Sequence, residues 1–177
     1  GDPPRAATAE DEHDPLAEAR MIAATAGGVR VVSVYVPNGR ALETPFYEAK
    51  LGWLARLERW LREACDPAAP LVLGGDMNVA PEDRDVWDPA ACHGGTHVYV
   101  RERDAIARLR AWGLEDAYRL HHDEAERFSW WDYRAGMFHK NQGMRIDHVF
   151  VTRPLAPRVL LAEIDREARK GKPTPSD

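Results

Sequence analysis

The chain is poor in the features that would assign it cheaply. It has two cysteines, Cys65 and Cys92, in 177 residues, and neither belongs to a CxxC pair. That argues against a structural zinc site and points to a reduced, cytoplasmic setting. No apolar run approaches the roughly 20 residues of a membrane span, so no membrane association is expected. No signal-type leader opens the chain either, because Gly1-Asp2-Pro3-Pro4 is polar. There is no excess of positive charge. The net charge of −5 excludes a generally basic nucleic-acid binder, although it leaves room for a local basic patch on an acidic body. Acidic residues crowd the start (Glu10, Asp11, Glu12, Asp14, Glu18), so the overall sign says little about any one face.

Hydrophobic residues make up 44% and charged residues 30%, the balance of a single globular domain. Residues 1–16 read as loop or disordered lead-in. Residues 20–25 and 29–36 read as two strands joined at Gly27-Gly28, and Pro37-Asn38-Gly39 stops the second. Residues 45–64 read as a helix, with Leu51, Leu54, Leu57 and Leu61 at helical spacing and Asp66-Pro67 ending it. Leu71-Val72-Leu73 is wholly apolar, as in a strand buried on both faces. Residues 79–97 read as a long loop, 101–112 as a helix with Gly113 as its cap, 144–151 as a strand, and 159–166 as a further strand. The expected class is α+β, with sheet packed on sheet and helices outside.

Four places carry chemistry. In Gly74-Gly75-Asp76-Met77-Asn78 a buried strand runs into a carboxylate and, two residues on, an amide. Extended geometry would point both to one side. A carboxylate there can activate water and an amide can donate to a phosphate oxygen; the competing reading is a plain Asp/Asn turn. Ser129-Trp130-Trp131-Asp132-Tyr133-Arg134 holds three aromatics and a cation, suited to stacking and phosphate binding, or else to plugging the core. Lys140, Asn141 and Arg145 follow, and this concentration of donors favours nucleic acid. Asp147 is a strand carboxylate in need of a partner, and Tyr35 ends its strand beside the Pro37-Asn38-Gly39 turn. His93 and His97 have helical metal-ligand spacing, but they lie in a Gly-rich loop that does not suit zinc. His148 points away from Asp147 on an alternating strand and cannot serve it.

Taken in order, Val34 to Gly39, Leu73 to Pro81, Asp83 to Asp85 with Trp87-Asp88-Pro89, Phe128 to Arg134, Arg145-Ile146-Asp147 and Pro175-Ser176-Asp177 resemble the exonuclease III family of DNA-repair nucleases, from roughly residue 18 onward. The resemblance implies part of a four-layer α/β/β/α sandwich. It implies Mg²⁺ (or Mn²⁺) at Asp76, Asn78 and Asp177. Asp76 would activate water, Asn78 and Tyr35 would hold the phosphate, and Asp147 would orient a histidine. Trp130 would line an abasic-sugar pocket, with Asn38, Trp131, Arg134 and Arg145 at the DNA face. The implied partner is duplex DNA with abasic sites or 3′ ends, bound by a monomer. The implied reactions are endonuclease, 3′→5′ exonuclease and 3′-phosphatase cleavage. Two departures accompany it. The family's opening strands, which supply an asparagine and a metal-binding glutamate, have no counterpart, and no histidine follows Asp177. The expectation is a fragment with little or no activity. Two alternatives stand beside it: a phosphatase or phosphodiesterase on a non-DNA substrate, and a non-catalytic DNA-binding module.

Overall fold

The structure is a computed structural model that describes residues 20–169. The expected lead-in at 1–16 and Asp177 lie outside those residues. A hairpin opens the fold: β1 (Met21–Ala26) pairs antiparallel with β2 (Val29–Tyr35) across Gly27-Gly28, both at positive φ. Helix α1 (Pro45–Ala64) then crosses to β3 (Leu71–Asp76), which lies parallel to β2. After an irregular stretch containing the short α2 (Pro89–Cys92) come α3 (Val100–Gly113) and β4 (Leu114–Asp116). A two-residue ladder follows, β5 (Trp130–Trp131) with β6 (Gly143–Met144), and then β7 (Asp147–Thr152). The main sheet runs β1-β2-β3-β7-β4.

Local chemistry sets the ends of α1. The Thr44 hydroxyl accepts from the Tyr47 N–H (3.3 Å), Pro45 sits in the first turn, and the helix closes at Cys65 just before Asp66-Pro67. Its buried face is Tyr47, Lys50, Trp53, Leu54, Leu57, Trp60 and Leu61, and the five from Trp53 to Leu61 pack with Ile106 and Leu109 of α3 onto Val32, Val34, Leu71, Leu73 and Phe150. Removing one such leucine would cost about 2–5 kcal/mol.

The helices cover one face of the sheet. The other is open where Ile22, Val31, Tyr35 and Val149 are exposed, and is covered near Val151 by Leu155, Val159 and Ala162. The α+β class therefore holds, while the second sheet among the described residues is only the β5–β6 ladder. Three local expectations change. The run at Leu71 is buried on one face and only half-buried at Val72, because the small cluster of Ala117, Val151 and Leu155 covers the other face only in part. The strand expected over 144–151 is broken: the Arg145 N–H turns aside to the Asp85 carbonyl (2.8 Å) and the Ile146 carbonyl accepts from the Met77 N–H (2.9 Å). No strand forms over 159–166, where the chain is irregular between two 3-10 turns. No described helix is long and apolar enough to cross a membrane.

Candidate active site

Strand register assembles the site. Tyr35 pairs with Asp76 across β2–β3, and Asp76 pairs with Asp147 across β3–β7. Paired residues point to the same side of a sheet, so these three form one row on the open face. Gly75 makes the row possible: its φ is +137°, and a Cβ there would lie 1.9 Å from the Val34 carbonyl oxygen. Any side chain would force β3 off β2.

The strand ends at Asp76, and extended geometry does not continue. Asn78 is left-handed (φ 50°), and it returns to Asp76 by hydrogen bonds. Asp76 Oδ1 accepts from the Asn78 N–H (2.7 Å), and Oδ2 accepts from Asn78 Nδ2 (3.1 Å). The second Nδ2 proton goes to the Val36 carbonyl (2.9 Å), and Asn78 Oδ1 accepts from Asn38 Nδ2 (3.1 Å). Asn78 is buried, and both protons of its amide are committed. The structure thus brings Asn78 to the site as the partner that orients Asp76. Burial pushes the Asp76 carboxyl up to about 6, opposed by the Asn78 N–H and reinforced by the Asp147 charge.

Asp147 is exposed at the start of β7, where Ser129 Oγ accepts from both the Ile146 N–H (3.1 Å) and the Asp147 N–H (3.0 Å). His148 points to the helix side, as alternation requires, and its Nε2 meets the Val79 carbonyl (2.9 Å). Tyr35 is half exposed, with the Arg20 guanidinium 5.1 Å from its ring centre. A mostly apolar cavity of about 580 Å³ opens beside Asp147, between Val149, Leu161, Ile164 and Trp131.

The residues expected on a DNA face divide. Asn38 is exposed and bridges Asn78 to His97. Trp130 is half-buried against Ala80, Val86 and Ile146, with its ring 6.5 Å from that of His97. Arg134 is exposed, but its guanidinium is tied to Asp132 (2.7 Å and 3.0 Å). Two expectations are corrected. Trp131 is 6% exposed and packs edge-on against Phe128 and Phe138, so it walls the cavity and cannot stack on DNA from the surface. Arg145 is 1% exposed and cannot reach a DNA backbone. It donates to Asp85 (2.7 Å), Asp116 (2.8 Å) and His148 Nδ1 (3.1 Å), while Arg119 also holds Asp85 (2.6 Å). Against the cost of burial, these cations hold both carboxyls below the usual range.

Another buried group, centred on Lys50, backs the turn from the helix side. Lys50 is fully buried, ion-paired to Glu102, and donates to the Asn78 carbonyl (2.6 Å) and Thr96 Oγ1 (3.3 Å). Burial pushes the ammonium down and the Glu102 carboxyl up, and each ion is the other's main counterweight. The signal was available: position 50 falls within the apolar stripe of α1, where a lysine needs a buried anion.

Oxygen donors of this kind suit Mg²⁺, which is bound through one or two carboxylates and keeps several waters. Asp76 offers one carboxylate, with lone pairs left on both oxygens, and Asp147 stands next to it in the row. Among the described residues there is no group of three or more His, Cys, Asp or Glu side chains able to hold a metal. The fit is therefore to a shared, partly hydrated ion and not to a closed cage.

Residues 3–177 match the profile of the Endonuclease/Exonuclease/phosphatase family, and the chain belongs to that family. Exodeoxyribonuclease III of Haemophilus influenzae is 37% identical over 144 residues, covering 75% of this chain and 52% of that protein. Among solved structures, the 3′ phosphatase NExo from Neisseria, bound to a product DNA hairpin, superposes with a TM-score of 0.82 at 38% identity, covering 88% of this chain and 61% of that one. An AP endonuclease from Archaeoglobus fulgidus superposes at 0.75 with 34% identity, covering 78% and 54%. The chain spans about half the length of the curated relative it matches.

Proposed function

We propose that the chain carries the water- and phosphate-handling part of an exonuclease III-type DNA-repair nuclease, a metal-dependent phosphodiesterase acting at abasic sites and 3′ ends of duplex DNA. The observation that carries this reading is the row Tyr35–Asp76–Asp147, backed by Asn78. The DNA-bound Neisseria relative supports the choice of substrate class.

Each residue has a task that its surroundings allow. A carboxylate raised to about 6 is a competent base near neutral pH, so Asp76 accepts the proton of the attacking water. Asn78 keeps both carboxylate oxygens of Asp76 aimed. The Tyr35 hydroxyl, at the open end of the row, donates to a phosphate oxygen as charge builds there. Asp147, whose backbone is pinned through Ser129, would orient a histidine. Mg²⁺ at Asp76, with Asn78 beside it and Asp177 completing the set, would polarise the phosphate and stabilise the leaving oxygen. Residues 1–177 alone are expected to cleave abasic duplex slowly or not at all, because the metal-binding glutamate and the histidine that the resemblance calls for have no counterpart in them.

The test is a substrate panel on the full-length gene product with Mg²⁺: abasic duplex, duplex with a 3′-phosphate, a phosphoinositide and sphingomyelin. Turnover of the two DNA substrates and neither lipid is expected. Lipid turnover without DNA cleavage would replace the DNA reading by the lipid-phosphatase one. Salt-sensitive DNA binding with no turnover, unchanged by Asp76→Asn, would leave a binding module.

A further inference from the structure

Behind the row lies a second layer of buried polar groups. The Asn78 carbonyl is turned inward by its left-handed backbone and accepts two short bonds, from Lys50 Nζ (2.6 Å) and from His97 Nδ1 (2.6 Å). A carbonyl can accept only, so Nδ1 carries the proton and Nε2 keeps a lone pair. That lone pair faces Asn38 Nδ2 at 3.5 Å, and the same amide nitrogen donates to Asn78 Oδ1 (3.1 Å). The contacts close a ring. His97 holds the backbone of Asn78 through one nitrogen and, through Asn38, holds the oxygen end of its side-chain amide. The nitrogen end is then left for Asp76 and Val36.

Lys50 is anchored in its turn. Its three ammonium protons meet three acceptors: Glu102, Thr96 Oγ1 and the Asn78 carbonyl. Glu102 also accepts from the Tyr99 N–H (3.1 Å), which ties the loop bearing His97 to the start of α3. His97 itself sits at φ 81°, a backbone that a non-glycine residue adopts only under constraint.

We propose that His97 and Lys50 are positioning residues for the active site: they hold the Asn78 carbonyl inward and thereby keep the Asn78 amide on the Asp76 carboxylate. The inference rests on the reading of Asp76 as the water-activating group, and it adds the two side chains that set its orientation from behind.

The test is NMR on residues 1–177, which needs no turnover. The readouts are solvent exchange of the Asn78 side-chain amide and the carboxyl carbon shift of Asp76. His97→Phe keeps an aromatic ring and removes both nitrogens. Lys50→Met is made together with Glu102→Gln, so that no buried charge is left unpaired. Loss of either bond is expected to speed Asn78 amide exchange about tenfold and to move the Asp76 carboxyl signal. His97→Asn keeps a donor near the Nδ1 position and tolerates positive φ, so exchange stays within about threefold of the parent. Leu57→Ala serves as control, a core change that lowers stability far from this ring. The proposal is overturned if the Asn78 and Asp76 signals stay in place in folded His97→Phe, if His97→Asn behaves like His97→Phe, or if Leu57→Ala shifts them equally. In the full-length gene product the same variants should lower kcat with KM nearly unchanged. That arm tests the active-site reading, and the NMR arm tests the positioning by itself.

Discussion

Two buried ionic clusters stand on either side of the Gly74–Asn78 turn, and they are wired differently. Around Arg145, two arginines and two aspartates pair with one another, and their further bonds go to His148 and to the backbone of Glu82, Tyr118, His122 and Glu124, none of them in the active turn. Around Lys50, the ion pair with Glu102 leaves ammonium protons over, and one of them is spent on the backbone of the active turn. The same cost of burying charge is met in both places. The first cluster returns it as rigidity between β7 and the Asp83–Asp85 turn, and the second as aim for a side chain. What a buried charge does is decided by where its last hydrogen bond goes.

The largest effect expected from breaking this contrast lies in the Arg145 cluster. Arg145→Met leaves Asp116 without its arginine and Asp85 with Arg119 alone, and should destabilise the chain by about 3–5 kcal/mol in denaturant unfolding. Both carboxyls are held below their usual range, so the stability they contribute is present above about pH 4 and is lost as pH falls through their lowered folded-state values. The parent should therefore lose stability on acidification below about pH 4, and Arg145→Met should show a shallower loss there.

Asp76 has the opposite sign. Its folded pKa, about 6, is raised above the ordinary carboxylate value, so the favourable contribution belongs to the protonated form and disappears as pH rises through 6. Asp76→Asn should raise Tm by about 2–4 °C at pH 7.5 and by almost nothing at pH 4. A gain of the same size at both pH values would mean that the carboxylate is not strained by its burial. The smallest effect is expected at the surface. Arg134 and Asp132 form an exposed pair, and Arg134→Ala should change stability by less than about 0.5 kcal/mol. If Arg134 meets a DNA phosphate, the same variant lowers the salt dependence of duplex binding by about one unit of slope.

The sequence disclosed what is local and hid what depends on distant partners. Helix α1 begins and ends where the sequence places it, because Thr44-Pro45 and Asp66-Pro67 are local signals. Asp76, Asn78, Tyr35 and Asp147 were each marked by motif, but their alignment in one row is a property of register and appeared only with the sheet. Arg145 and Trp131 were misplaced for a common reason. A basic residue among aromatics reads as a nucleic-acid surface until a carboxylate sixty positions away, Asp85, is found against the guanidinium. The expected strand over 159–166 was apolar enough, but no neighbouring strand pairs with it among the described residues. Lys50 and His97 carried weak local signals, and their shared target, one backbone carbonyl, could not be inferred without the fold.

The central claim is that Asp76 activates water for phosphodiester cleavage. The most direct test is the single-turnover rate of Mg²⁺-dependent abasic-duplex cleavage by the full-length gene product, compared between the parent and Asp76→Asn at pH 7.5. The account predicts a loss of about 10²-fold or more, with duplex affinity unchanged within about threefold. A variant that keeps its rate within about threefold of the parent would contradict it.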